Sequence, residues 1–222
     1  MAKTGPSFYL DVLYPLQDEV LAIASSLETG LYLSGGTAVS RGYLHHRFSE
    51  DLDLFADDAP DFGLWAARLI QALAKDQRWR LEVVQRDERL VRMALTASQG
   101  VLKVELINDV PCRVGAVSRH PALGLLDCPE NLLANKISAL LDRDEPKDLA
   151  DIWGLCTKLH LSLAQAIEGA QGKAAGVFAP DCARALCAAT ASDFAAILWQ
   201  DAPPADAFVR DLHSLGEALL GL

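Results

Sequence analysis

Basic residues are in the minority in this sequence: 20 lysines and arginines stand against 30 aspartates and glutamates, a formal net charge of −10 at pH 7. Sequence-independent affinity for nucleic acid comes from cationic side chains replacing counterions along phosphates, so this balance excludes a broad nucleic-acid cradle and leaves room only for a local contact. Long apolar runs are missing too. Stretches such as Ile107 to Val117 are broken by Asp, Pro and Arg well before the ~20 residues that cross a bilayer. The opening Met-Ala-Lys-Thr-Gly-Pro leads to Asp11, Asp18 and Glu19 without the unbroken apolar core of a secretory signal. The expectation is a cytoplasmic protein with no membrane partner. Cysteine is scarce: Cys112, Cys128, Cys156, Cys182 and Cys187 are odd in number, form no C-x-x-C pair and sit among apolar neighbours. They read as reduced core thiols rather than a disulfide frame or zinc ligands.

What is present is a foldable composition, 51% hydrophobic and 23% charged over 222 residues. That length suits one good core, or a catalytic domain with a helical appendage, and is too short for several domains. Apolar residues at helical spacing from Phe8 to Leu27 predict an opening packing helix, interrupted or started near Pro15. Residues 31–34 read as a short strand, Gly35-Gly36 as a turn, and Thr37 to His45 as a helix that Thr37 caps. Asp51 to Phe55 alternates at period two, with Leu52 and Leu54 to one face and both aspartates to the other. A helix over 61–75 and three strands at 79–84, 90–95 and 101–107 follow, with turn signals at Asp87-Glu88 and Gln99-Gly100. Beyond Pro129 the chain is rich in Ala and Leu at helical spacing, and its breaks divide it into about five helices. The fold class read from this pattern is α+β: a mixed β-sheet flanked by helices, followed by a helical C-terminal half.

Two carboxylates at i and i+2 on one strand, flanked by buried leucines, repel one another, and a divalent cation relieves the strain. Oxygen ligands of this kind suit Mg²⁺, which takes one or two carboxylates and completes its shell with water and phosphate. Just upstream, Gly35 and Gly36 let backbone approach a phosphate, and Ser34 or Thr37 can add a hydroxyl. Glu105, between Val104 and Leu106 on a separate strand, supplies a third acid, the number that a pair of ions clamping an in-line displacement requires; alone it reads as an edge acid pairing with Lys103. The chain shows no P-loop, EF-hand, Gly-x-Ser-x-Gly or His-Glu-x-x-His pattern. Adjacent His45 and His46 point to different sides of a helix, which speaks against a shared metal.

The order Gly-Gly, Asp-x-Asp, then a distant hydrophobic-Glu-hydrophobic strand resembles the active-site pattern of DNA polymerase β-type nucleotidyltransferases. More narrowly, Leu33-Ser34-Gly35-Gly36-Thr37 with Arg47-Phe48-Ser49-Glu50-Asp51-Leu52-Asp53-Leu54-Phe55 looks like the AbiEii/AbiGii-type toxin nucleotidyltransferases. The likeness extends through Glu130 to Lys136 and through the R-x-x-x-K-D-x-x-D segment from Arg143 to Asp151. Fourteen residues separate Gly36 from Asp51, longer than the broader superfamily's common gap but tolerated in the narrower family. The resemblance implies a nucleotidyltransferase α/β domain over 1–125 and a helical domain over 126–222. It further implies NTP as substrate and Mg²⁺, two ions, held by Asp51, Asp53 and Glu105. Ser34, Gly35, Gly36, Thr37, Arg47, Ser49 and Lys136 would be the nucleotide-binding set, and Lys136 and Asp148 would join the three acids in catalysis, with Asp151 in the same last motif. The implied setting is a toxin paired with a cognate antitoxin, acting on RNA (tRNA) or protein. A small-molecule acceptor such as an antibiotic, or a non-catalytic nucleotide-binding module, stands as the alternative.

Several residues carry two readings. Arg47 either reaches a phosphate or pairs with Asp57 or Asp58 to brace the loop. Lys136 is either an ordinary exposed lysine or a phosphate neighbour. Lys147 pairs with Asp151 at i,i+4 if the last motif is merely a helix start. Residues 68–92 carry seven basic groups (Arg68, Lys75, Arg78, Arg80, Arg86, Arg89, Arg92) against four acids, a net of +3. They form either a docking face for an RNA acceptor or a solvated helix end and hairpin edge.

Overall fold

A computed structural model describes residues 5–221. The chain divides into two compact units. The first holds Met1–Thr37, Ser49–Pro111 and Val117–Asp127, and the second Ala38–Phe48, Cys112–Ala116 and Cys128–Leu222.

Among the described residues all the strands belong to the first unit: β1 (Tyr32–Ser34), β2 (Leu52–Asp57), β3 (Trp79–Arg86), β4 (Leu90–Ala97), β5 (Val101–Asp109), β6 (Ser118–His120) and β7 (Gly124–Leu126). They form one sheet in the order β3-β4-β5-β2-β1-β7-β6. The sheet is mixed, because β2 runs parallel to β5 and β1 parallel to β7 while the other neighbours are antiparallel. Period-two alternation does the sorting. Leu52, Leu54 and Ala56 of β2, Val91, Met93 and Leu95 of β4, and Leu102, Val104 and Leu106 of β5 are all buried, and the residues between them are half-buried. The helix Phe62–Ala74 contributes Phe62, Ala66, Leu69 and Leu73 to the same core, a stripe at i, i+4, i+7 and i+11. Each fully buried leucine of this kind contributes roughly 1.5–3 kcal/mol.

The opening helix is interrupted, not started, at Pro15. It runs as Pro6–Phe8, a π-helical stretch Tyr9–Leu13, and Tyr14–Ser26. Proline has no N–H to give to the preceding turn, and the wider register just before it absorbs the missing bond. β6 and β7 are absent from the sequence reading. At three residues each, they are too short to show a period, and the pairing of β7 with β1 and of β6 with β7 is tertiary information.

The second unit is helical: Pro129–Asp142, Pro146–Thr157, Leu163–Gln171, Ala179–Cys187, Ala191–Ala196 and Ala205–Leu219, together with a π-helical stretch Ala38–Leu44 that continues the turn Gly35–Thr37. Proline opens the first two of these helices, where its missing N–H goes unused. After Pro129 the sequence suggests about five helices and six form. The extra one, Ala191–Ala196, exists by virtue of a capping box between Thr190 and Asp193. No helix among the described residues is long and apolar enough to cross a membrane.

Candidate active site

The acidic row is set by strand register. Ser34 of β1 lies opposite Asp53 of β2, Asp53 opposite Glu105 of β5, and Glu105 opposite Arg92 of β4. These residues therefore share one rung and one face of the sheet, and Asp51, two residues before Asp53, shares the face. The opposite face is the leucine core, so the acids cannot slip by one residue without burying themselves.

Gly35 makes the rung possible. Its φ is +66°, and a Cβ there would lie 2.4 Å from Oδ2 of Asp53. The residue is thus required by the aspartate it shelters as well as by the turn. Thr37 does not cap the helix, as the sequence suggests, but sits inside it. Its hydroxyl donates to the Asp51 carbonyl at 2.5 Å and bonds the Ser49 hydroxyl at 2.9 Å, which ties the glycine turn to the strand start. Ser34 donates to Asp127 Oδ2 at 2.8 Å, and the Asp127 amide donates to the Leu33 carbonyl. Both side chains are wholly buried.

Ser49 and Glu50 are held by side chains of the opening helix, which the sequence presents as a packing helix. Gln17 donates to the carbonyls of Ser49 and Glu50 at 3.2 and 3.0 Å. Tyr14 Oη accepts from the Ser49 amide, and Tyr9 donates to Glu50 at 2.6 Å. Burial and the Glu50 carboxylate together push the Tyr9 hydroxyl above its ordinary value. Gln17, a fully buried amide in an apolar helix, was the available signal, because buried polar groups need partners.

Lys103 and Arg92 answer the acids. Lys103 Nζ lies 2.9 Å from Asp51 Oδ2 and 3.6 Å from Glu105 Oε2, and Arg92 Nε donates to Glu105 Oε1 at 2.5 Å. Burial lowers the Lys103 ammonium, but Asp51, Glu105 and Asp53 outweigh it and hold it above its ordinary value. Among the described residues no group of three or more His, Cys, Asp or Glu closes as a metal cage. Mg²⁺ rarely uses such a cage. It takes one or two carboxylates and finishes its octahedron with water and substrate phosphate, so the half-exposed Asp51-x-Asp53 pair is a donor set that fits it.

The helical unit holds the other sequence candidates in a buried ionic network. Arg47 donates through Nε and Nη2 to the two oxygens of Asp151, at 2.8 and 2.7 Å, and through Nη1 to the Phe48 carbonyl. The sequence offers Asp57 or Asp58 as its partner; in the structure Asp57 takes the Tyr32 hydroxyl and Asp58 takes Arg89. Lys136 is no exposed lysine either. Only 5% accessible, it lies 2.7 Å from Asp148 and 2.6 Å from Asp151. Arg143 reaches Asp148 from the surface. Lys147 pairs with Glu145 rather than Asp151, whose side chain faces inward.

Burial alone would raise the Asp151 carboxyl, but the Arg47 and Lys136 cations and the hydrogen bonds from His46 and Arg47 overcome it and hold the group well below the usual carboxylate range. Asp148 is lowered in the same way by Lys136 and Arg143, against its own burial. His46 is wholly buried, and burial lowers its pKa despite Asp151, so the ring is neutral near pH 7. A carboxylate only accepts, so the proton sits on Nε2, 3.0 Å from Asp151, and Nδ1 has no hydrogen-bond partner among the described residues. His45 points to solvent.

Of the sequence candidates, Asp51, Asp53, Glu105, Ser34, Gly35, Gly36, Thr37 and Ser49 gather in the sheet unit, and Arg47, Lys136 and Asp148 in the helical unit. Ser34, Thr37, Arg47, Ser49 and Lys136 are buried, whereas the two glycines are partly open. In the 68–92 stretch, Arg68, Arg78, Arg89 and Arg92 are already bonded within the protein, while Lys75, Arg80 and Arg86 are exposed.

Two variants check this geometry. Gly35→Ala forces a left-handed alanine against Asp53 and is expected to lower unfolding free energy by roughly 2 kcal/mol or more in urea titration; a change within the noise contradicts the close approach. Asp151→Asn strands Arg47 and Lys136 and is expected to cost about 3–5 kcal/mol at neutral pH. Because the folded carboxyl is depressed, that contribution is present above the unfolded value of ~3.9 and is lost as pH falls through the folded value. Unfolding free energies of the two proteins therefore converge on acidification below about pH 4; a constant difference contradicts the network.

No curated protein matches this chain. Solved structures share its fold, MenT4 and JHP933 among them. MenT4, a nucleotidyltransferase toxin from Mycobacterium tuberculosis, superposes with a TM-score of 0.65 at 17% identity, over 97% of this chain and 85% of its own. JHP933 from Helicobacter pylori gives 0.62 at 17% identity, over 92% and 89%. At such identity these likenesses speak for the fold, a mixed nucleotidyltransferase sheet with flanking helices. Residues 19–198 match the family described as nucleotidyl transferase AbiEii toxin, type IV toxin–antitoxin system. The match spans most of the chain, and the protein therefore belongs to the AbiEii nucleotidyltransferase toxin family.

Proposed function

We propose that the protein moves the nucleotidyl group of an NTP to an acceptor hydroxyl, with Asp51 and Asp53 as the metal-holding pair and Glu105 as the third acid. The observation that supports this most is the shared rung, in which Asp53 and Glu105 stand side by side on parallel strands with Asp51 on the same face beside a glycine turn. Asp51, Asp53 and Glu105 would hold up to two Mg²⁺, which when bound neutralise triphosphate charge and ease deprotonation of the acceptor.

The chain's own part is positioning. Gly35 and Gly36 leave backbone open to phosphate, while Ser34, Thr37 and Ser49 hold the turn and strand from inside. The acceptor oxygen bonds to the α-phosphorus as the bond to pyrophosphate breaks, and the hydroxyl proton passes to the carboxylate row. We assign Arg47, Asp148 and Asp151 to fixing Lys136 within its buried ionic network rather than to direct phosphate contact.

Family membership supports a toxin with a cognate antitoxin as partner, acting on RNA, such as a tRNA end, or on protein. Lys75, Arg80 and Arg86 are the exposed cations that an RNA would meet on the 68–92 stretch. The test is incubation with each α-labelled NTP, Mg²⁺ and total bacterial RNA, beside Asp53→Asn. Label on RNA, reduced by at least ~10³-fold in the variant, is expected. Label on protein moves the acceptor assignment, and turnover retained in Asp53→Asn overturns the site.

A further inference from the structure

We propose that Lys103 is a displaceable counter-ion, holding the cation position of the acidic row until a metal-bearing nucleotide takes it. The inference rests on the reading of Asp51 and Asp53 as metal-holding residues. Its basis is a contrast between Lys103 and Arg92. Lys103 reaches two acids at once, Asp51 at 2.9 Å and Glu105 at 3.6 Å. Arg92 instead is clamped on both sides: Nε donates to Glu105 and Nη1 to Gln85 Oε1 at 3.3 Å, from the next strand along the rung.

The chemistry of the two groups sharpens the contrast. An ammonium is a compact, well-hydrated point charge on a flexible stem, whereas a guanidinium fork is planar and preorganised by its partners. The Lys103 side chain is 41% exposed and that of Asp51 37%, so the pair can part into solvent at little cost. Mg²⁺ binds carboxylate oxygen at about 2.0–2.1 Å, and an ammonium within hydrogen-bond reach of the same oxygen repels it strongly. Occupancy of Asp51 by Lys103 and by a divalent ion is therefore competitive.

In the metal-free chain the lysine keeps three like charges tolerable. Once released, its ammonium stays on the face where the triphosphate oxygens arrive. The device explains why an acidic row can fold and wait without its metal.

The experiment is Mn²⁺ titration of the metal-free protein at low ionic strength, read by the loss of the free-ion paramagnetic resonance signal. The proteins are wild type, Lys103→Met, Lys103→Arg, Lys75→Met as an exposed charge control in the same unit, and Asp53→Asn. Lys103→Met is expected to bind Mn²⁺ on the order of tenfold more tightly than wild type, with Lys103→Arg and Lys75→Met within about twofold. Without metal, Lys103→Met is expected to melt below wild type, and Mn²⁺ to raise its melting temperature more. Equal or weaker Mn²⁺ binding by Lys103→Met, or an equal gain in Lys75→Met, overturns the competition while leaving the metal assignment standing. Mn²⁺ binding that survives Asp53→Asn unchanged, or is absent from both wild type and Lys103→Met, overturns the metal assignment itself.

Discussion

Like charge held at close quarters is the constraint around which the sheet unit is built. Parallel pairing of β2 with β5 fixes Asp53 beside Glu105, and the two-residue period places Asp51 on the same face. Left alone, three carboxylates so arranged would repel one another and strain the strands. The leucines on the opposite face prevent relief by a register slip. Relief comes from the side: Lys103 and Arg92 along the rung, and a left-handed glycine that lets the turn close over Asp53. The turn, the strand start and the helix carrying Tyr9, Tyr14 and Gln17 are then fastened to this arrangement by hydrogen bonds.

The helical unit solves a related problem in the opposite way. Arg47, Lys136, Asp148 and Asp151 are almost wholly withdrawn from water and satisfy one another at close to ideal distances. Magnitudes separate the two cases. A half-exposed pair such as Lys103 with Asp51 contributes about 0–1 kcal/mol and can be exchanged. Removing one member of a buried pair costs about 3–5 kcal/mol, so that network is permanent. Exchangeable charge belongs where a ligand arrives and permanent charge where a side chain must stay put.

The sequence shows the strands whose period-two alternation covers a core, because hydrophobic periodicity is local information. β2, β4 and β5 and the rung candidates Asp51, Asp53 and Glu105 all follow from it. β6 and β7, three residues each, have no period to read. Asp127 escaped notice for the same reason: nothing in residues 124–127 announces a partner 93 residues away in Ser34. Lys136 and Arg47 illustrate the other limit. Their residue types suggest exposure or phosphate contact, and only the tertiary convergence of Asp148 and Asp151 makes burial affordable. Thr37 likewise looks like a cap until its hydroxyl is seen on the Asp51 carbonyl.

The central claim is that Asp51 and Asp53 together hold a catalytic divalent ion beside the Gly35-Gly36 turn. Crystals grown with Mn²⁺ and a non-hydrolysable NTP analogue test it most directly, through the anomalous signal of the metal. The account predicts a peak in coordination contact with both aspartates and with phosphate oxygen, and Lys103 Nζ moved off Asp51. A bound nucleotide whose metal touches neither aspartate would contradict it.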